Sequence, residues 1–199
     1  IGHQVALRRY EWQQLTQMME ACRRLRPELF VDVGAYLGLY SCVIGHHKLA
    51  PRILALEPDR ESFVRLTANV SLNALNGMVE AREVAAAAHP GKVTLAPAGV
   101  ADRGMSCVDP KAHDGVEGAY PVEAVALDDL ARLDGANIVA KIDAPGSEIE
   151  VLMGAAQLFT RNRGYAQIEA RGGRAPGVVT ELMAAFSWRL IGQQGSTLR

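Results

Sequence analysis

The stretch Phe30-Val31-Asp32-Val33-Gly34-Ala35-Tyr36-Leu37-Gly38 decides how the rest of the chain is read. An apolar strand runs into an acid, then into two glycines four apart, then into a segment of helical pattern. About twenty residues later a second apolar strand, Ile53-Leu54-Ala55-Leu56, ends on Glu57 and Pro58. A strand, a glycine turn, a helix and a strand ending in a carboxylate are the parts of a nucleotide-type site. The turn lets backbone approach a ligand, and Glu57 is placed to grip the two hydroxyls of a ribose.

The turn reads D-x-G-x-x-x-G and not the G-x-G-x-x-G of dinucleotide enzymes. An acid stands where a pyrophosphate would need neutral backbone donors at a helix N-terminus. Asp32 suits the cationic end of an amino acid instead, and the ligand expected from these residues is S-adenosylmethionine.

The 199 residues fit one domain, or one domain plus a small appendage. With 49% hydrophobic and 22% charged residues the chain can bury a real core. The 21 basic and 22 acidic side chains leave a formal net charge of -1, which argues against a nucleic-acid partner. Three cysteines, Cys22, Cys42 and Cys107, show no metal-type spacing and read as thiols of a reducing compartment. No apolar run reaches the length of a membrane span and no signal-peptide pattern appears, so a cytoplasmic location is expected.

The pattern predicts an α/β class: a doubly wound, mostly parallel, Rossmann-like sheet in three α/β/α layers. Residues 1–27 form an amphipathic helix that covers the domain or acts as its lid, and residues 28–199 form the domain itself. Strands are predicted at about 29–33, 52–57, 80–88, 137–143 and 165–169, with a hairpin and long loop inserted at about 91–126. Helices are predicted at 38–47, from Asp59 to Asn76-Gly77 with Phe63, Leu66, Val70 and Leu72 inward, at 147–159 and at 176–185. A single strand at 187–192 closes the chain, one short of the antiparallel pair that usually ends such sheets. Trp12 and Trp188 read as core residues.

Ligands of open parallel sheets sit beyond the carboxyl ends of the strands, where strand order reverses. Four acids fall at such ends: Asp32, Glu57, Asp143 and Glu169. With these acids in place, the segments VDVGAYLGLYS, LALEPDRESFVRLTANVSLN, VALDDL and KIDAPGSEIEVLMGA resemble the FkbM-type family of S-adenosylmethionine-dependent methyltransferases. The resemblance spans about residues 30–160, and its last segment is the most specific.

It implies methyl transfer to an oxygen, often on a sugar or small metabolite, so the expected partner is a small-molecule or carbohydrate acceptor. Carried onto this sequence, Asp32, Gly34, Ala35, Tyr36 and Gly38 match the cofactor turn, and Glu57 with Pro58 matches the ribose position. Val84 and Ala85 match the region lining the adenine. Lys141, Asp143 and Glu148 match the K-I-D-x-E-G-x-E signature, with one departure: the first glutamate of that signature is Pro145 here.

A hydroxyl acceptor must lose its proton, which calls for a base or a metal. Asp143 is the best-placed base, with Glu148 and Glu169 as partners in that role; Mg²⁺ on these carboxylates is a further option but not the favoured one. Two other readings keep the fold. One is a cofactor-binding module weak or inactive in catalysis, to which Pro145 gives weight. The other is a nicotinamide-dependent oxidoreductase, against which the missing G-x-G-x-x-G counts.

Overall fold

Strands β1 (Leu29–Val33) and β2 (Ile53–Leu56) are buried at every position, and β8 (Asn137–Ile142) at all but its first. Apolar runs of this kind form the middle of a parallel sheet covered on both faces. The protein is described by a computed structural model over residues 12–96, 107–109, 118–170, 174–194 and 197–198.

The main sheet has seven strands in the order β10-β11-β9-β8-β1-β2-β3, with β3 (Val79–Arg82), β9 (Arg163–Glu169), β10 (Gln193–Gln194) and β11 (Thr197–Leu198). From β3 to β9 every pairing is parallel, and β11 runs antiparallel to both β9 and β10. The chain builds outward from β1 through β2 to β3, then returns to the other side of β1 with β8 and β9. Strand order therefore reverses between β1 and β8, which places a cleft at their carboxyl ends.

Helices cover both faces. On one lie α1 (Trp12–Leu25), α2 (Leu39–His46) and α3 (Arg60–Leu72), whose Leu15, Met18, Cys22, Ile44, Leu66 and Val70 pack with Phe30, Ile53 and Val139 of the strands. On the other lie α5 (Glu148–Met153), α6 (Ala156–Arg161) and α7 (Ala175–Ala185), around Val151, Leu158, Phe159, Val179 and Met183. The short α4 (Leu127–Leu130) enters the same side, with Asp128 accepting from the Gln157 and Leu158 amides at the start of α6. Trp188 stands edge-on to Phe159 and donates from Nε1 to its carbonyl at 2.8 Å.

A second, four-stranded sheet runs β4-β7-β5-β6, from β4 (Ala85–Ala86), β5 (Gly91–Ala96), β6 (Cys107–Asp109) and β7 (Tyr120–Val125). The expected inserted hairpin is thus part of a larger unit. The continuous strand expected at 80–88 is two strands: β3 pairs with β2, then the chain bends at Glu83 and β4 pairs with β7.

Other expectations need correction. The single helix expected at 147–159 breaks at Gly154, where a Cβ would lie 2.0 Å from the Ala87 carbonyl oxygen; glycine allows the chain to pass this close. Helix α3 stops at Leu72, four residues short of Asn76-Gly77, and Leu72 points out at 84% exposure, because the buried face runs through Ser62, Leu66 and Val70 at i, i+4 spacing. Trp12 is 57% exposed at the start of α1 and lies outside the core. The closing strand expected at 187–192 is irregular backbone, and a short antiparallel pair, β10 with β11, ends the sheet.

A candidate ligand cavity at the strand switch point

Gly34 and Gly38 both have positive φ, +69° and +83°. A Cβ on Gly34 would sit 1.9 Å from the carbonyl oxygen of Asp143, so only glycine lets the end of β1 pass the end of β8 at this distance. Tyr36, between them, also has positive φ, +52°. The turn uses its own amides: Gly34 and Ala35 donate to the Leu56 carbonyl, Gly38 to the Ala35 carbonyl, and Tyr36 to Glu57 Oε2 at 2.7 Å.

The turn opens onto a cavity of about 380 Å³, a volume within the roughly 300–1,000 Å³ usual for small-molecule sites. Gly34, Ala35, Tyr36 and Gly38 line one wall, Glu57 and Pro58 a second, Val84 with Ala85 a third, and Asp143 the fourth. Nine of the residues singled out from sequence therefore meet around one space. Three others lie off it. Asp32 is fully buried behind the turn. Its Oδ2 accepts from the Ser41 amide at 3.1 Å and the Ser41 hydroxyl at 2.7 Å, which caps α2 from the neighbouring strand, since Gly38 offers no side chain to do so. Glu148 is buried at the first position of α5, accepting from the Gly146 amide at 3.3 Å. Glu169 ends β9 and lines a separate niche.

That niche has a volume of about 20 Å³, room for about one water-sized group. Tyr40, Lys141 and Asp143 line both it and the larger cavity. Gln14, Gln167, Glu169 and Thr197 complete its polar wall. Sheet register explains the grouping: Asp32, Lys141 and Gln167 stand side by side on β1, β8 and β9, making a polar row through an otherwise apolar sheet. Lys141 Nζ donates to the Gly34 carbonyl at 2.6 Å and lies 3.8 Å from Asp32 Oδ1 and 3.6 Å from Asp143 Oδ2, above the Tyr40 ring. Gln167 Nε2 donates to the Gln14 carbonyl and to Tyr165 Oη, anchoring α1.

Lys141, matched in sequence to the family signature, lines the main cavity, as do Tyr40, Asn69, Asn73 and Ser147, which the motifs did not single out; nor did they single out Gln167. For Gln167 a signal existed, a lone polar residue in an apolar strand at the register of Asp32 and Lys141. Asn69 lies on α3, four residues before its C-cap Asn73, and donates to the Leu37 carbonyl at 2.8 Å, a contact across 32 residues that no local pattern carries. His113 and the Gly172-Gly173 turn lie outside the described residues.

Glu57 is strongly altered by this environment. Burial pushes its carboxyl up to about 7; the amides of Asp59 and Tyr36 and the charge of Lys141 pull it down, and Asp59 pushes it up. Among the described residues no group of three or more His, Cys, Asp or Glu is placed to hold a metal ion, and no helix is long and apolar enough to cross a membrane.

The switch-point cavity, the glycine turn and the strand order define the class: a Rossmann-like domain of the methyltransferase type. The sequence pattern of the methyltransferase FkbM domain matches residues 32–185, and the chain belongs to that family. Among solved structures it is similar to the methyltransferase FkbM from Methylobacillus flagellatus KT, with TM-score 0.60 and 19% identity over 80% of this chain and 37% of that one. The chain thus spans little more than a third of the length of that relative. It shares the fold of an rRNA methylase from Streptococcus thermophilus (TM-score 0.50, 12% identity, 94% of this chain and 90% of that one). A SAM-dependent methyltransferase from Agrobacterium tumefaciens is also similar (TM-score 0.50, 10% identity, 89% and 50%). No curated protein matches the sequence significantly.

Proposed function

We propose that the chain is an S-adenosylmethionine-dependent methyltransferase acting on a hydroxyl of a sugar, glycan or small metabolite. The observation that carries this reading is Asp143, which lines both the large cavity and the hydroxyl-sized niche. Tyr40 and Lys141 line both spaces as well, so a group held in one meets a group held in the other beside these three side chains.

The large cavity fits the cofactor in size and in chemistry. Its turn is closed to phosphate: four of its amides are already bonded within the protein, and the Asp32 carboxylate occupies the N-terminal end of α2. This disfavours a nicotinamide dinucleotide, whose pyrophosphate would need those donors. Glu57, with a backbone amide on each oxygen, keeps lone pairs for ribose hydroxyls. Val84 and Ala85 offer an apolar wall for the base, and Tyr36 lines the turn side. Bound there, S-adenosylmethionine would supply a methyl group already activated on a sulfonium.

The protein's work is then to hold the acceptor and take its proton. Asp143 accepts the hydroxyl proton, with Glu169 across the niche sharing that role, and Lys141 keeps Asp143 and the Gly34 carbonyl in fixed relation. Glu148, off both cavities, fixes the Gly146 turn after Asp143 and acts by position. Asp32 likewise supports the turn from behind.

A second reading rests on Pro145, which lines the cavity where the family signature carries a glutamate: a module that binds the cofactor without turnover. Methyl-labelled S-adenosylmethionine incubated with sugars, hydroxylated metabolites and structured RNA separates the readings. Label in a base-stable ether of a sugar or metabolite is the expected outcome, and Asp143→Asn should reduce it by about 10²-fold or more while sparing cofactor binding. Label in RNA alone would overturn the acceptor class; cofactor binding with no label anywhere would favour the inactive module.

A further inference from the structure

Strand β7 meets the cavity wall at one end and the loop that follows Glu57 at the other. At its carboxyl end Ala124 and Val125 pair with Ala85 and Ala86 of β4, which line the cavity. At its start the Tyr120 hydroxyl donates to Asp59 Oδ2 at 2.7 Å and accepts from the Arg60 amide at 3.4 Å. Asp59 in turn caps α3 through Oδ1, taking the Ser62 amide and hydroxyl, and its own amide donates to Glu57 Oε1 at 2.8 Å. The contacts form one path from the second sheet to the carboxylate: Tyr120, Asp59, Glu57, Tyr36.

From Tyr120 to Ala124 is four residues, about 13 Å of strand at roughly 3.3 Å per residue. One rigid element therefore spans from the wall proposed for the base to the loop carrying the ribose acid. Nothing in the chemistry of methyl transfer requires a second sheet, and the position of β7 gives it a task. We propose that the four-stranded sheet is a positioning device for the cofactor, with Tyr120 the positioning residue through which it fixes the Asp59 loop and hence Glu57. This rests on the reading of Glu57 as the ribose-binding acid.

The expected consequence has a defined sign. Glu57 is faced by Asp59 from its own loop, by Lys141 from β8 and by Tyr120 from β7. Removing the Tyr120 hydroxyl loosens the Asp59 amide that donates to Glu57 and leaves the Asp59 carboxylate less well neutralised. Both changes favour protonated Glu57, so the pH above which ligand binds well moves up.

The test is calorimetric titration of the full chain and of Tyr120→Phe with S-adenosylhomocysteine between pH 5.5 and 8.5, together with amide exchange at Asp59. Tyr120→Phe should weaken binding about fivefold at pH 8 and raise the binding midpoint by about half a pH unit. Amide exchange at Asp59 should quicken in the folded variant. A purely structural tyrosine would lower the melting temperature without moving the midpoint, and that result, or unchanged affinity, overturns the proposal while leaving the proposed function standing. Absence of binding by the parent chain would remove the reading beneath the proposal, and the proposal with it.

Discussion

The ends of β1 and β2 look alike in sequence, each an apolar strand closing on an acid, and the structure makes opposite uses of them. The end of β1 is closed. Asp32 is buried behind the turn, both Ser41 donors fall on one of its oxygens, and Lys141 stands by the other. The end of β2 is open. Glu57 is held only by two loop amides, faces the cavity, and has its carboxyl pushed up to about 7. The buried carboxylate, hydrogen-bonded through one oxygen and charge-paired through the other, serves as scaffold; the cavity-facing one, raised toward neutrality, is the acid proposed to receive the ligand.

Breaking the closed end should cost the fold. Asp32→Ala removes the cap of α2 and leaves Lys141 buried with one charge partner fewer, an expected loss of about 3 kcal/mol in chemical denaturation. Gly34→Ala should cost roughly 2–3 kcal/mol, since its Cβ would overlap the Asp143 carbonyl oxygen in a positive-φ conformation. Neither variant's ligand affinity should exceed that of the parent. Should Asp32→Ala retain full stability, the distinction between the two ends would fail.

Breaking the open end should cost binding instead. Glu57→Gln should weaken S-adenosylhomocysteine binding by about tenfold at pH 8. It should also flatten the pH dependence of stability. In the parent, a carboxyl raised in the folded state contributes stability that is full below its ordinary value near 4.5 and lost as pH rises through about 7. The parent's melting temperature should thus fall between about pH 5 and 8 by more than that of Glu57→Gln, which thermal melts across that window would show. The smallest effect belongs far from both ends: Trp188→Phe removes the bond to the Phe159 carbonyl and should cost about 1 kcal/mol, with unchanged ligand affinity.

The fold was largely legible because its central strands are apolar runs broken by glycine turns, and those turns demand conformations only glycine adopts freely. The family segments carried the cavity walls for the same reason, since the turn, Glu57 and Asp143 sit at strand ends set by local pattern. What local pattern could not carry was tertiary substitution. The cap of α2 comes from Asp32 on another element, so Gly38 gave no cap signal. Strand β4 left the main sheet because β7, some forty residues on, offered it a partner. Gln167 reached the niche only through register with Lys141.

In the proposed function Glu57 receives the ligand as a carboxylate. Calorimetric titration with S-adenosylmethionine at pH 7, in two buffers of different ionisation enthalpy, measures this directly. The prediction is micromolar binding with release of about half a proton, because ribose hydroxyls favour the ionised form of a group half protonated when free. No binding, or binding with no proton released, would contradict it.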